Sequence, residues 1–281
     1  MGSLRFMSRV PKVRLNNGVS IPQLGFGVFQ IDPAQTAPAV RMALEAGYRH
    51  IDTAQGYNNE EGVGQAIRES GLPRGEVFVT TKLANSRHGH DEAIAALDES
   101  LERLGLDHVD LFLIHWPRPK ADLFVETWRA FEKIASDGKA RAIGVSNFRV
   151  PDLQRLAAET GTVPALNQIE LHPWLPQTEL RAYHQQHGIA TEAWSPLGKG
   201  GDLLAEQVVV ALAEKYGQSP AQIVLRWHLQ LGNIVIPKSV TASRISENID
   251  VFDFELSDDD VASISELENG RRLGPDPDVF G

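Results

Sequence analysis

Four ionisable side chains sit where strand-like runs end: Asp52 closes His50–Asp52, Lys82 closes Val77–Lys82, His115 follows Val109–Ile114, and Tyr57 lies five residues past Asp52 in a loop. Singly, each has an ordinary explanation: a solvated or capping carboxylate, a packed loop phenol, a satisfied core histidine. Together they solve one chemical problem, protonating a carbonyl oxygen while a hydride reaches its carbon. A phenol ionises near pH ~10, so Tyr57 keeps its proton at neutrality and can be the acid. A neighbouring ammonium at Lys82 lowers that value, Asp52 holds Lys82 charged and oriented, and His115 can donate a hydrogen bond that fixes the substrate oxygen.

No side chain supplies hydride, so this chemistry needs a cofactor. Ser146 and Asn147 end the run Ala142–Ser146, and Gln168 lies in Ala165–Ile169; their polar groups could pair with a carboxamide. Trp194 ends Ala190–Trp194 ahead of Ser195-Pro196-Leu197-Gly198, where an indole could stack on a flat heterocycle. After Asn233–Ile236 come Lys238, Ser239, Val240, Thr241 and Arg244, then Glu247 and Asn248. Two cations on one segment leading into a helix suit a dianionic phosphate. Taken alone, a solvated basic helix end explains them equally well. His88 and His90 lie in a polar loop without a strand-end partner, so solvated loop is the reading and no metal site is expected.

The elements that must position these groups alternate. Between the strand-like runs lie amphipathic stretches of helical period: Ala37–Glu45, Glu60–Glu69, Asp91–Leu104, Leu123–Asp137, Val150–Ala158, Glu179–His187 and Pro220–Gln230. Strand-then-helix repeated this often implies a parallel sheet covered by helices, and Leu24–Gly27 as a first strand brings the count to eight. That predicts an α/β fold, a (β/α)8 TIM barrel, whose reactive groups gather at the C-terminal ends of its strands. The rival, an open doubly wound sheet, should carry a G-x-G-x-x-G, which Gly25-Phe26-Gly27 does not complete. Lys12–Leu15, Asn16-Asn17-Gly18 and Val19–Pro22 predict a β-hairpin plugging the barrel bottom, and Leu256–Glu266 an extra helix begun at Ser257. One domain over 1–281 is expected, with 1–10 an unstructured or expression-derived extension (Met7 an alternative start) and 268–281 a tail near the barrel mouth.

Composition narrows the class. The chain has 281 residues, 27 Lys+Arg against 37 Asp+Glu for a net charge of −10, and no cysteine. Disulfides and thiol nucleophiles are excluded, and an acidic whole argues against a dedicated nucleic-acid or anionic-membrane binder. No apolar stretch approaches membrane-spanning length and no signal peptide is evident, so a cytoplasmic protein is expected.

The chain resembles the aldo-keto reductase superfamily, in particular its bacterial 2,5-diketo-D-gluconate reductase branch. The match runs from Lys12 to Leu267 and includes Gly47–Ala54 with Tyr57, Thr80–Leu83, Asp110–Pro117, Gly144–Phe148, Asn167–Pro173, Trp194–Gly198 and Ile236–Asn248. The resemblance implies NADPH bound across the barrel mouth, Tyr57 as proton donor, and Asp52, Lys82 and His115 completing a tetrad. It implies further that Ser146, Asn147 and Gln168 hold the nicotinamide carboxamide and Trp194 stacks on the ring. Leu197 and Gly198 would line the pyrophosphate, and Ser195 would belong to the same cofactor site. Lys238, Ser239 and Arg244 would take the 2′-phosphate, with Val240 and Thr241 in the same cofactor-binding segment and Glu247 and Asn248 at the adenine. Members are often monomers.

Two positions depart from the family pattern. Asn58 stands where glycine commonly follows the catalytic tyrosine, and Ala84 where tryptophan often lines the substrate pocket. Losing an indole removes a wall, so the sugar-acid substrate is not carried over. Phe29 and Trp116 remain as aromatic walls, with Trp174 a further candidate and Gly270–Gly281 a candidate lid. The leading expectation is NADPH-dependent reduction of aldehydes or activated ketones: α-dicarbonyls, keto acids or keto sugars. The rivals are an NADPH-binding sensor or regulatory barrel of weak turnover, and a barrel hydrolase using Glu170 with Asp52.

Overall fold

The computed structural model describes residues 10–280. The expectations for residues 1–9 lie outside that range, whereas Val10, counted with them, is buried. Strand β1 (Lys12–Arg14) pairs antiparallel with β2 (Ser20–Pro22), Val13 facing Ile21. Gly18 supplies the positive φ of 87° the turn requires. Asn16 and Asn17 donate across to the Pro164 and Arg141 carbonyls, tying the hairpin to the barrel's N-terminal end. Leu15 and Ile21 pack there with Phe78, Leu111, Leu166 and Ile234. The hairpin is the expected plug.

Eight parallel strands follow: β3 (Phe26–Gly27), β4 (His50–Asp52), β5 (Phe78–Leu83), β6 (Val109–Ile114), β7 (Ala140–Ser146), β8 (Leu166–Glu170), β9 (Ala190–Trp194) and β10 (Ile234–Val235). Each pairs with its neighbour in sequence, as right-handed strand–helix crossovers produce. The ring closes where Gly25 N–H donates to the Val235 carbonyl (2.8 Å) and Val235 N–H to that of Gln23 (3.0 Å). Gly27 makes that seam possible, because a Cβ there would meet the Ile236 carbonyl oxygen at 2.8 Å.

The outer layer comprises α1 (Pro33–Glu45), α2 (Glu60–Glu69), α3 (His90–Leu104), α4 (Phe124–Ser136), α5 (Val150–Glu159), α6 (Thr178–His187), α7 (Gln207–Tyr216), α8 (Pro220–Gln230), α9 (Ala242–Ile249) and α10 (Asp258–Ser265). α1 begins earlier than the apolar periodicity indicates, because Asp32 accepts from Ala34 N–H (2.8 Å) and Pro33 pre-sets the first turn's φ. α7 was not among the expected helices: Val208–Ala213 is apolar nearly all round, leaving little periodic contrast. Ser257 caps α10 as expected. Beyond it, the Asn269 and Gly270 N–H groups donate to the Trp174 carbonyl, and Phe280 lies 4.5 Å from the Trp116 ring. The tail therefore crosses the mouth of the barrel. Among the described residues no helix is long and apolar enough to cross a membrane.

Candidate active site

Lys82 ends its strand run with an ammonium wholly out of solvent. Its Nζ donates to Asp52 Oδ1 (2.6 Å) and the Thr53 carbonyl (2.9 Å), and lies 3.2 Å from the Tyr57 hydroxyl. Tyr57 sits on a single 3-10 turn, Gln55–Tyr57, which Asn58 ends in the left-handed region at φ 55°. Asparagine tolerates that region better than most residues, so the turn keeps its shape without glycine. Asn59 pins it, accepting from Thr53 Oγ1 (2.8 Å) and donating to the Val28 carbonyl (2.9 Å). The His115 ring meets the Tyr57 ring edge-on at 5.7 Å, half-buried at the end of β6. All four expected groups converge.

Their electrostatics favour one protonation pattern. Burial works against the Lys82 charge, but Asp52 and Tyr57 outweigh it and hold the ammonium above its ordinary pKa. Burial raises the Tyr57 phenol, and Lys82 pulls back only part of the way. The sequence-based expectation of a lowered phenol is thus corrected: withdrawal from water exceeds the cation's attraction. Burial, reinforced by Lys82, pushes His115 down to about 3, so its imidazole is neutral at pH 7. The arrangement is a protonated phenol between a cation and a neutral imidazole.

Two groups beneath this cluster escaped the sequence reading. Glu192 and His50 are fully buried inside the barrel, with Glu192 Oε1 3.7 Å from His50 Nε2. Gln168 Nε2 donates to both Asp52 Oδ2 and Glu192 Oε2, each at 2.8 Å. The signal was strand alternation: Glu192 stands two before Trp194, and His50 two before Asp52, so each pair shares a face.

Several of the remaining expected residues are bonded to one another past the strand ends. Trp194 Nε1 donates to Asn147 Oδ1 (2.8 Å), while Asn147 Nδ2 donates to the His115 carbonyl (3.0 Å) and Ser146 Oγ (3.1 Å). Ser146 Oγ donates to the Gln168 carbonyl (2.8 Å). Asn147, Ser195 and Gly198 all take positive φ, and Leu197 is half-buried. Lys238 and Arg244 are exposed and have no ion-pair partner among the described residues. Between them, Val240 and Thr241 are exposed, while Ser239 is buried and accepts from Thr241 N–H (3.1 Å). Glu247 accepts from Ser219 Oγ (2.5 Å), and Asn248 is buried.

Phe29 lies 5.0 Å from the Tyr57 ring and is half exposed. Trp116 is buried against Phe280, and Ala84 is half-buried with its N–H on Gln55 Oε1 (2.8 Å). Trp174 is tied instead to Glu206 (2.9 Å) and lies beneath Arg271 at 4.5 Å, at the root of the tail. His88 is buried rather than solvated, since the loop after β5 folds inward, and burial lowers it to about 4. No cluster of metal-ligating side chains occurs among the described residues. Glu170 does not share a site with Asp52: it accepts from His172, Leu273 N–H (2.6 Å) and Gly274 N–H (2.9 Å), whereas Asp52 faces Lys82. The paired carboxylates that a hydrolase needs are not assembled by these two residues.

The Aldo/keto reductase family model matches residues 23–269. An aldo-keto reductase of Mycobacterium sp. (strain KMS) is 59% identical over 96% of this chain and 98% of its own length. Methylglyoxal reductase DkgA of Escherichia coli (strain K12) is 50% identical over 98% of this chain and 100% of its own. Among solved structures, a Gox0644 mutant in complex with NADPH superposes with a TM-score of 0.93 at 44% identity, covering 97% of this chain and 99% of that one.

Proposed function

The chain belongs to the aldo/keto reductase family, and from that premise we propose that Tyr57 is the proton donor of an NADPH-dependent reduction of aldehydes and activated ketones to alcohols. One observation carries the assignment: the Tyr57 hydroxyl lies 3.2 Å from a buried Lys82 ammonium that Asp52 holds at 2.6 Å. As a carbonyl oxygen gains negative charge, the phenol gives up its proton, and the phenolate left behind is stabilised by the adjacent cation. Neutral His115 donates to the same oxygen and orients it, which an imidazolium would do only at a large desolvation cost.

The residues present fit the cofactor, because two exposed cations without an ion-pair partner among the described residues stand on one segment of a chain whose net charge is −10. Lys238 and Arg244, with Ser239, Val240 and Thr241, would hold the 2′-phosphate, and Glu247 and Asn248 would adjoin the adenine. Ser195, Leu197 and Gly198 would follow the pyrophosphate, with the Asn147-braced Trp194 indole under the nicotinamide. Ser146, Asn147 and Gln168 would hold the carboxamide. Since both Gln168 amide hydrogens serve carboxyl groups, its carbonyl oxygen is the atom left to accept. When bound, NADPH supplies the hydride to the carbonyl carbon.

An adjacent electron-withdrawing group eases hydride acceptance, so α-dicarbonyls and small keto acids are the substrates of choice. The methylglyoxal reductase activity named for the Escherichia coli relative supports this class. Phe29, Trp116 and Ala84 would line the substrate pocket, the alanine widening it. The sensor alternative gains nothing from the geometry, since the Lys82–Tyr57 contact is intact. Tyr57→Phe should lower kcat about a hundredfold or more while leaving NADPH affinity, followed by quenching of protein fluorescence, within about twofold. Full turnover in that variant would exclude Tyr57 as the acid.

A further inference from the structure

Glu192 is a buried carboxyl beside the site to which the reduction assigns no part. Its surroundings constrain its charge. From β4, His50 and Asp52 face it; from β5, Lys82; from the loop after β4, Tyr57; from β8, the uncharged Gln168. Its neighbour on β10, Ile234, brings no charge, and Asp110 of β6 is tied to Arg74 and Arg141. Burial holds His50 down at about 4, so it is neutral. With Asp52 negative and Lys82 positive, the buried set balances only if Glu192 carries its proton. An uncompensated buried anion would be costly, and Oε1, the oxygen that Gln168 leaves free, has no hydrogen-bond partner among the described residues to stabilise one.

We propose that Glu192 is a positioning residue for proton donation by Tyr57: as an uncharged acid it shares the Gln168 amide with Asp52, and its ionisation slows the reduction. The inference rests on Tyr57 being the acid. The ionised form would add a second negative charge on the Asp52 side, beside the same amide. That charge would oppose the phenolate formed as Tyr57 gives up its proton, making it a weaker acid in the transition state. Burial and Asp52 together push the Glu192 carboxyl up to about 8, which brings the change within reach of ordinary assays.

The test compares pH profiles of kcat for an aromatic aldehyde with NADPH in the wild type, Glu192→Gln and Glu192→Met. Glutamine can still accept from Gln168; methionine fills a similar volume without a polar head, should glutamine not fold. The wild-type kcat should fall about fivefold as pH rises past the Glu192 ionisation, and both variants should lack that limb. In the cofactor-free protein, carbon-13 NMR of the glutamate side-chain carboxyls should show one signal, absent from Glu192→Gln, titrating near pH 8. A signal titrating in the ordinary carboxylate range, or variants that keep the wild-type limb, overturns the inference. If Tyr57→Phe is inactive while the Glu192 variants track the wild type, only the Glu192 role falls. If Tyr57→Phe keeps full turnover, the underlying reading falls first.

Discussion

Lys82 shows how much a single side chain is asked to do. It keeps its charge without solvent because three oxygens surround it, from Asp52, Thr53 and Tyr57. Lys238 and Arg244 present the opposite case: exposed cations that bind only what solution brings. Each charge-assisted contact to phosphate is worth about 1.5–3 kcal/mol. The double variant Lys238→Ala, Arg244→Ala should therefore weaken NADPH more than tenfold, while NADH, which has no 2′-phosphate, changes by less than about twofold. Titrating both dinucleotides against the variant decides it, and equal weakening refutes the 2′-phosphate assignment. The effect should shrink with added salt, since exposed charges are screened.

Among the elements, short strands suffice where loops carry the chemistry. β3 and β10 have two residues each and still close the ring. One carboxylate among several contacts fixes the middle of the tail: Glu170 accepts from Leu273 and Gly274, while Lys199 donates to the Leu273 carbonyl (2.9 Å) and Arg149 pairs with Asp278 further on. Gly274 is needed there for space, because a Cβ would meet Trp194 at 2.3 Å and Glu170 Oε2 at 3.0 Å. Gly274→Val should push the tail off Trp194 and loosen the Phe280–Trp116 contact at the proposed pocket wall. Tryptophan emission should shift and the KM for the aldehyde rise severalfold. An unchanged spectrum and KM would mean that the tail does not shape the pocket.

For the whole molecule, buried neutral histidines set the response to acid. Burial lowers His50 and His88 to about 4, and His115, His184 and His228 to about 3. In the unfolded chain these groups take up protons near pH ~6.5. Between that pH and the folded-state values, the unfolded chain binds more protons, so stability falls as pH drops. Glu192 acts in the opposite sense: its raised value costs stability as pH climbs from the ordinary carboxylate range towards about 8. Five histidines outweigh one carboxyl below neutrality. The urea midpoint should be clearly lower at pH 5 than at pH 7, and equal midpoints would show that these rings are not held neutral.

The sequence by itself determined the alternation of strands and helices, the eight-strand count and the positions of Asp52, Tyr57, Lys82 and His115, because periodicity and strand ends are local properties. Only the tertiary structure decided which groups share a proton or a hydrogen bond. Gln168 bridges Asp52 and Glu192, which stand 116 residues before it and 24 after it. Glu170, read as a candidate acid, became the anchor of a tail more than 100 residues away. His88, read as solvated, was buried by the fold of its own loop. For Gln168 and Glu170 the missing quantity was the identity of a distant neighbour, and for His88 the loss of water around the ring; neither is encoded in local spacing.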